Sequence, residues 1–253
     1  MNGTMRKNKR ILEDSLVQHD EQNQQEISMI LEAFDSDHGF FVEVGANDPF
    51  VNSISYPLEC IGWRGILIDP LKKCYQNILA NRPLAKSFHC ACVSPEQVGK
   101  ITLHAPDETS VYASVEKNID DIDLIYNHSE EVDALTLDQI LEGLNRPAID
   151  LLSIDTEGTE LDVLKGLDLS KNQPKLIIIE DKLYNLSKHS YLKKHGYKLV
   201  KRTMVNSWYV KRDGSPLHIV ENFTEKLARW RKYNPLSIYF RNRRRVNKSK
   251  MLA

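Results

Sequence analysis

Acidic residues recur where apolar runs of this chain end: Glu43 and Asp48 in "FFVEVGANDP", Asp69 in "RGILIDP", Asp155 and Glu157 in "IDLLSIDTEG", Glu180 and Asp181 in "PKLIIIEDK". Carboxylates so placed can do three kinds of chemistry. They accept hydrogen bonds from pairs of hydroxyls, ligate hard cations such as magnesium, or take a proton as a general base. The loop after the first run, G-A-N-D-P-F from Gly45, has a single glycine and no G-x-G-x-x-G. The extra glycines of that fingerprint let backbone approach a pyrophosphate, so their absence argues against a dinucleotide. Asp69 nevertheless follows Gly45 by about 24 residues, the interval at which an acid reaches the ribose hydroxyls of an adenosine ligand. An adenosine ligand with a cationic tail would favour Glu43 and Asp48. S-adenosylmethionine fits, with its ribose on Asp69 and its sulfonium and amino-acid portion over the loop after Gly45.

A hydroxyl acceptor would also have to lose a proton, to a general base or with the help of a metal ion. Asp155 is the first candidate, as base or as metal ligand. Asp155, Glu180 and Asp181 form the expected magnesium set, and Glu157 and His128 complete the catalytic candidates. The same acids have a structural reading: Glu157 and Glu160 can open a helix and favour its N-terminal dipole, with Gly158 permitting the turn. His104 and His128 flank an insert in which Ser110, Tyr112 and Ser114 could contact cofactor or acceptor. His89 is read as packed in a strand and His195 as a helix-end residue.

The elements that must position these groups alternate along the chain. "QQEISMILEAF" places Ile27, Ile30, Leu31 and Phe34 at helical spacing, with Gly39 expected as a left-handed cap. Strand, helix, strand and helix follow in "GFFVEVGA", "NSISYPLECIG", "RGILIDP" and "LKKCYQNILANR", then a third strand, "AKSFHCACVS". "GKITLHAP" is an inserted β-element, "LTLDQILEGLN" a helix capped by Thr136, and "IDLLSIDTEG" and "PKLIIIEDK" the fourth and fifth strands around a helix. "YKLVKRTMVNSWYVKRD" reads as two strands joined by a turn. This order predicts a three-layer α/β fold with a mostly parallel sheet and an antiparallel C-terminal hairpin. Ligands in such sheets sit at the carboxyl ends of the strands, where the acids are.

"FFVEVGANDP", "LECIGWRGILIDP", "HCACVS" and "IDLLSIDTEGTELDVLKGLD" followed by "PKLIIIE" together resemble the FkbM-type methyltransferases, over about residues 25 to 210. The resemblance implies a Rossmann-like, seven-stranded class I methyltransferase fold. It implies S-adenosylmethionine as cofactor, and methyl transfer to a hydroxyl of a sugar in a polysaccharide, glycolipid or glycosylated natural product. Carried onto this sequence, Glu43, Gly45, Ala46 and Asn47 would line the methionine part and Asp69 the ribose. Cys90 or Ala91 would border the adenine, and Asp155 would stand between cofactor and acceptor. Asp48, Ser53 and Pro70 complete the expected binding set.

The chain has 253 residues, 41% hydrophobic and 27% charged, with a formal net charge of −1, which suits one main core and gives no global sign of nucleic-acid binding. Nucleic-acid methylation would rest on the tail alone, and an N/D-P-P-Y/F motif is missing where D-T-E-G stands. A non-catalytic binding module is the other alternative, and the acids Glu43, Asp69 and Asp155 argue against it. Cys60, Cys74, Cys90 and Cys92 lack zinc-site spacing and read as reduced thiols. With no signal-like segment or spanning run, a cytoplasmic location is expected. Residues 1–24 are expected to be flexible, 25–212 to form the methyltransferase domain, and 213–253 to be a basic, aromatic appendage. That appendage suits peripheral contact with the inner membrane surface. The acceptor partner is expected to be a saccharide or glycoconjugate, with oligomerisation left open.

Overall fold

The computed structural model describes residues 11–109, 126–215 and 223–236, apart from positions 18, 146, 182–185, 204 and 235, together with 217 and 219. Ser110, Tyr112 and Ser114 of the insert, and most of the basic tail, lie outside these residues. In chain order the elements are α1 (Glu21–Phe34), β1 (Phe40–Val44), α2 (Tyr56–Ile61), β2 (Arg64–Asp69), α3 (Lys72–Asn81), β3 (Lys86–His89), β4 (Ala91–Cys92) and β5 (Gly99–Ala105). There follow β6 (His128–Leu135), α4 (Leu137–Glu142), β7 (Leu151–Ile154), α5 (Glu160–Lys165), β8 (Leu176–Glu180), α6 (Ser187–Lys194), β9 (Tyr197–Thr203), β10 (Asn206–Lys211) and α7 (Phe223–Tyr233).

Alternate residues of the central strands face opposite layers, as a pleated strand buried on both faces requires. Val42 and Val44 of β1, Leu152 and Ile154 of β7, and Ile177 and Ile179 of β8 pack with Ile140, Val163 and Leu192 of α4, α5 and α6. Phe41, Leu151, Leu176 and Ile178 pack on the other face with Ile27 and Ile30 of α1, Leu58 of α2 and Ile78 of α3. The result is a seven-stranded sheet in the order β3-β2-β1-β7-β8-β10-β9. Its first five strands are mutually parallel, and β10 runs antiparallel to both β8 and β9. The three-layer arrangement with a closing hairpin is therefore as the sequence predicts.

Two local expectations are corrected. "AKSFHCACVS" is not one strand. Its first part, β3, pairs with β2 as far as His89, and the chain then leaves the main sheet. Ala91 and Cys92 pair instead with Ala134 and Leu135 of β6, in a second sheet of order β4-β6-β5. Nor does Gly39 cap α1. Asp35 adopts the left-handed conformation, with its N–H on the Leu31 carbonyl, while a Cβ at Gly39 would lie 2.7 Å from the Trp63 ring. Gly39 is small to admit that indole.

Candidate active site

Strand order reverses between β1 and β7, which opens a crevice beyond their carboxyl ends. A cavity of about 390 Å³ lies there, in the size range of small-molecule sites. Gly45, Ala46, Asn47, Asp69, Pro70, Cys90, Ala91, Asp155 and Glu157 line it, as does Glu43.

The loop after β1 explains its single glycine. Gly45 has φ +82°, and a Cβ there would stand 1.7 Å from the backbone oxygen of Asp155. Only a residue without a side chain lets the exits of β1 and β7 touch. The first three amides of the loop, Gly45 to Asn47, are also committed. The N–H groups of Gly45 and Ala46 donate to the Ile68 carbonyl at 2.9 and 3.1 Å. That of Asn47 (φ 49°) donates to Asp69 Oδ2 at 2.8 Å. No fan of free amides remains for a pyrophosphate, the feature on which dinucleotide loops depend.

Asp69 is held by both oxygens, since Leu71 N–H donates to its Oδ1 at 2.9 Å. It is 5% exposed. Burial pushes its pKa up to about 6, against the pull of the two amides, and the charge of Glu130 adds a smaller upward push. Each oxygen keeps a lone pair for another donor, which suits vicinal hydroxyls.

Three expected cofactor residues turn elsewhere. Glu43 reaches the cavity wall, but its oxygens accept from Ser53 Oγ at 3.1 Å, Ile54 N at 3.2 Å, and Ser55 Oγ. Burial raises its pKa, opposed by Ser55 and the Arg82 charge. Ser53 is accordingly absent from the cavity wall, and it also accepts from Arg82 Nη1 at 3.3 Å. Arg82 closes this inner network on Pro49 O, Ser55 Oγ and Glu59 Oε2, at 2.9 to 3.1 Å. Asp48 closes a turn, its Oδ1 accepting from Phe50 and Val51 N–H at 2.8 and 2.7 Å. These acids shape the loop from within.

On the other side of the crevice, carboxylate oxygens of Asp155, Glu157 and Glu180 lie within 4.8 Å of one another. Glu157 sits at φ 53°, an uncommon conformation for a residue with a side chain. Asp155 is exposed to solvent where it opens on the cavity, while the surrounding protein still limits the water around its carboxylate. Burial and the charges of Glu180, Glu157 and Glu160 raise its pKa to about 8, while Lys188 opposes them. Buried Lys188 anchors the group from below, with Nζ 2.5 Å from Glu160 Oε2 and 2.8 Å from the Glu180 carbonyl.

Opposite ligands of a magnesium ion lie about 4 Å apart, so this trio fits a divalent cation after a small contraction. Its membership departs from the expected set. Asp181 is fully buried, its Oδ2 accepting from Ser207 and its carbonyl from Arg202, so it ties β8 to the hairpin, and Glu157 stands in its place. His128 is likewise outside the cavity, its Nε2 3.2 Å from Glu130 Oε2 at the start of β6.

Residues not anticipated also form the wall. Ile101 and Leu103 come from β5, Val205 from the turn between β9 and β10, Asn206 from the start of β10, and Thr156 follows Asp155. The Thr156 hydroxyl is buried behind the cavity wall, without a hydrogen-bond partner among the described residues. The hairpin turn could have been anticipated. Because β10 is antiparallel to β8, its turn returns to the carboxyl end of the sheet.

Comparison with known proteins agrees with this geometry. The model of the methyltransferase FkbM domain matches residues 43–199. Methyltransferase 1 of Beauveria bassiana (strain ARSEF 2860) is 40% identical over 76 residues, which are 29% of this chain and 30% of that protein. The match thus spans under a third of that relative. No solved structure matches the chain. The family match runs from the end of β1 into β9, covers more than half of the chain, and includes both Gly45 and the Asp155 carboxylate group, so the protein belongs to the FkbM methyltransferase family.

Proposed function

We propose that the protein is an S-adenosylmethionine-dependent O-methyltransferase acting on a hydroxyl of a sugar, in a polysaccharide, glycolipid or glycosylated natural product. The observation that carries this reading is the pairing of a doubly anchored Asp69 with a loop whose first three amides are already spent. Such a site favours a ribose and disfavours a pyrophosphate. Membership of the methyltransferase family supports the same ligand.

S-adenosylmethionine, when bound, supplies a methyl group on a positively charged sulfur. Asp69 accepts from the ribose hydroxyls, Cys90 and Ala91 offer an apolar wall to the base, and Asp155 and Glu157 favour the cationic end. The cavity also offers Thr159, Asp162 and Asn206 as hydrogen-bonding groups suited to a polyhydroxylated acceptor. Asp155 receives the proton of the acceptor hydroxyl, a task for which a raised pKa is matched. Asp155, Glu157 and Glu180 would hold a divalent cation, whose charge would ease loss of that proton.

Calorimetric titration with S-adenosylhomocysteine tests the reading. Binding is expected, with affinity at least about tenfold weaker after Asp69→Ala, since two hydrogen bonds to a charged group are lost. NAD is expected not to bind. Absence of S-adenosylhomocysteine binding, or an affinity indifferent to Asp69, would overturn the proposal.

A further inference from the structure

Helix α7 lies along β9, the last strand of the sheet, and among the described helices it has the most large apolar side chains exposed. Phe223, Leu227 and Trp230, spaced by four and three residues, are 79, 44 and 54% exposed, and Leu236 just beyond is 66% exposed. The three helical residues line a groove of about 740 Å³ together with Tyr197 and Leu199 of the sheet edge. Lys193, Lys198, Arg212 and Lys226 border the same groove. The acid of the helix, Glu225, turns to Lys201 of β9 at 2.9 Å, an ion pair with side chains 14 and 5% exposed, which fixes the helix and withdraws its negative charge.

We infer that this face of α7 is a docking surface for an anionic lipid bilayer. The charge of the chain favours that occupant. Residues 226–253 hold ten lysines and arginines and no acid, so with the whole chain at −1 the first 225 residues carry −11. An anionic membrane attracts one end of this protein and repels the rest, which orients it with α7 toward the lipid. The apolar residues choose between a bilayer and a nucleic acid. Leu227 and Leu236 have no flat face on which a base could stack, whereas an interfacial helix buries leucine and aromatic side chains between head groups and acyl chains while its basic residues meet the phosphates. The inference stands apart from the methyl-transfer reading, because no group in the cavity takes part.

The protein carries its own reporter. Of its three tryptophans, Trp63 and Trp208 are fully buried, so a change in emission on docking reports Trp230. Full-length protein is mixed with phosphatidylcholine vesicles containing about 30 mole per cent phosphatidylglycerol, a surface that carries the required negative potential. The expected result is a blue shift quenched by brominated acyl chains, absent with pure phosphatidylcholine and reversed by high salt. Phe223→Ser and Lys226→Glu should each weaken vesicle binding, by about tenfold for the aromatic, with unchanged melting temperature and unchanged S-adenosylhomocysteine affinity. No shift with anionic vesicles would overturn the inference, as would binding indifferent to Phe223. A shift produced by polyuridylate but not by vesicles, or by raising protein concentration alone, would assign the face to RNA or to a second copy instead.

Discussion

Gly45 and Gly196 share a backbone φ of +82° but not their surroundings: a Cβ on Gly45 would meet the Asp155 carbonyl at 1.7 Å, while one on Gly196 would meet nothing within 4 Å. Alanine at either position pays the same left-handed strain, about 1–2 kcal/mol. For a chain of this size each kcal/mol lowers the melting temperature by roughly 2–4 °C. Gly196→Ala should therefore melt a few degrees below the parent and keep full activity. Gly45→Ala must also push the exit of β7 away by about 1.7 Å to restore an ordinary contact of 3.4 Å. Overpacking of that kind adds about 1–3 kcal/mol. Because the displaced residue is Asp155, a misplacement beyond 1 Å should cost on the order of 10²-fold in turnover. Scanning calorimetry and release of S-adenosylhomocysteine read the two effects separately. Equal losses of stability and activity in the two variants would refute the claim that Gly45 exists to let β1 and β7 touch.

Other expectations follow from the charges. Asp69 and Asp155 have folded-state pKa values raised from 3.8 to about 6 and about 8, so the unfolded chain ionises first and the free protein loses stability as pH rises through that window. Asp69 alone accounts for about 3 kcal/mol between pH 4 and 6. Asp155 faces solvent in the cavity and is discounted to about 1–2 kcal/mol by screening. Asp155→Asn should flatten the fall in melting temperature between pH 6 and 8, and an unchanged slope would count against the carboxylate repulsion. Arg82→Ala should destabilise by about 3–5 kcal/mol in urea unfolding, because Glu43 and Glu59 would be left buried without their counter-charge. Arg82→Lys should not restore it, as one ammonium cannot reach Pro49, Ser53, Ser55 and Glu59 together. Magnesium should raise the melting temperature of the parent but not of Glu157→Gln/Glu180→Gln, and turnover undiminished by exhaustive chelation would remove the metal from the proposed reaction.

Much of this was readable in the sequence because burial on two faces leaves a simple mark. The apolar runs ending at Val44, Asp69, Ile154 and Glu180 could only be inner parallel strands, and strand ends locate the crevice. Three things were not readable. The break at Cys90 lies inside a continuous apolar stretch, and alternation says which residues are buried but not which strand they pair with. In β6 only Val132 and Ala134 are fully buried, beside exposed Glu131 and Asp133, so its pattern is too polar to announce a strand. Most instructive are Glu43, Asp48 and Asp181. Position after a strand places an acid at the correct end of the sheet, yet the fate of its lone pairs is decided by Ser53, Ser55, Phe50 and Ser207, which arrive from loops and from the hairpin. Asp69 was legible because its interval from Gly45 puts it at the end of β2, the strand beside β1, whatever groups hold it there.

The most direct measurement of the central claim is the fate of a labelled methyl group. The protein is incubated with methyl-labelled S-adenosylmethionine and a glycan and glycolipid extract, and the product is treated with alkali. Transfer to a sugar oxygen makes an ether, so the label should remain with the saccharide fraction after alkali and disappear with Asp155→Asn. Label released as methanol would mark an ester, label in RNA or on nitrogen would mark another acceptor, and no transfer at all from an active methyl donor would contradict the account.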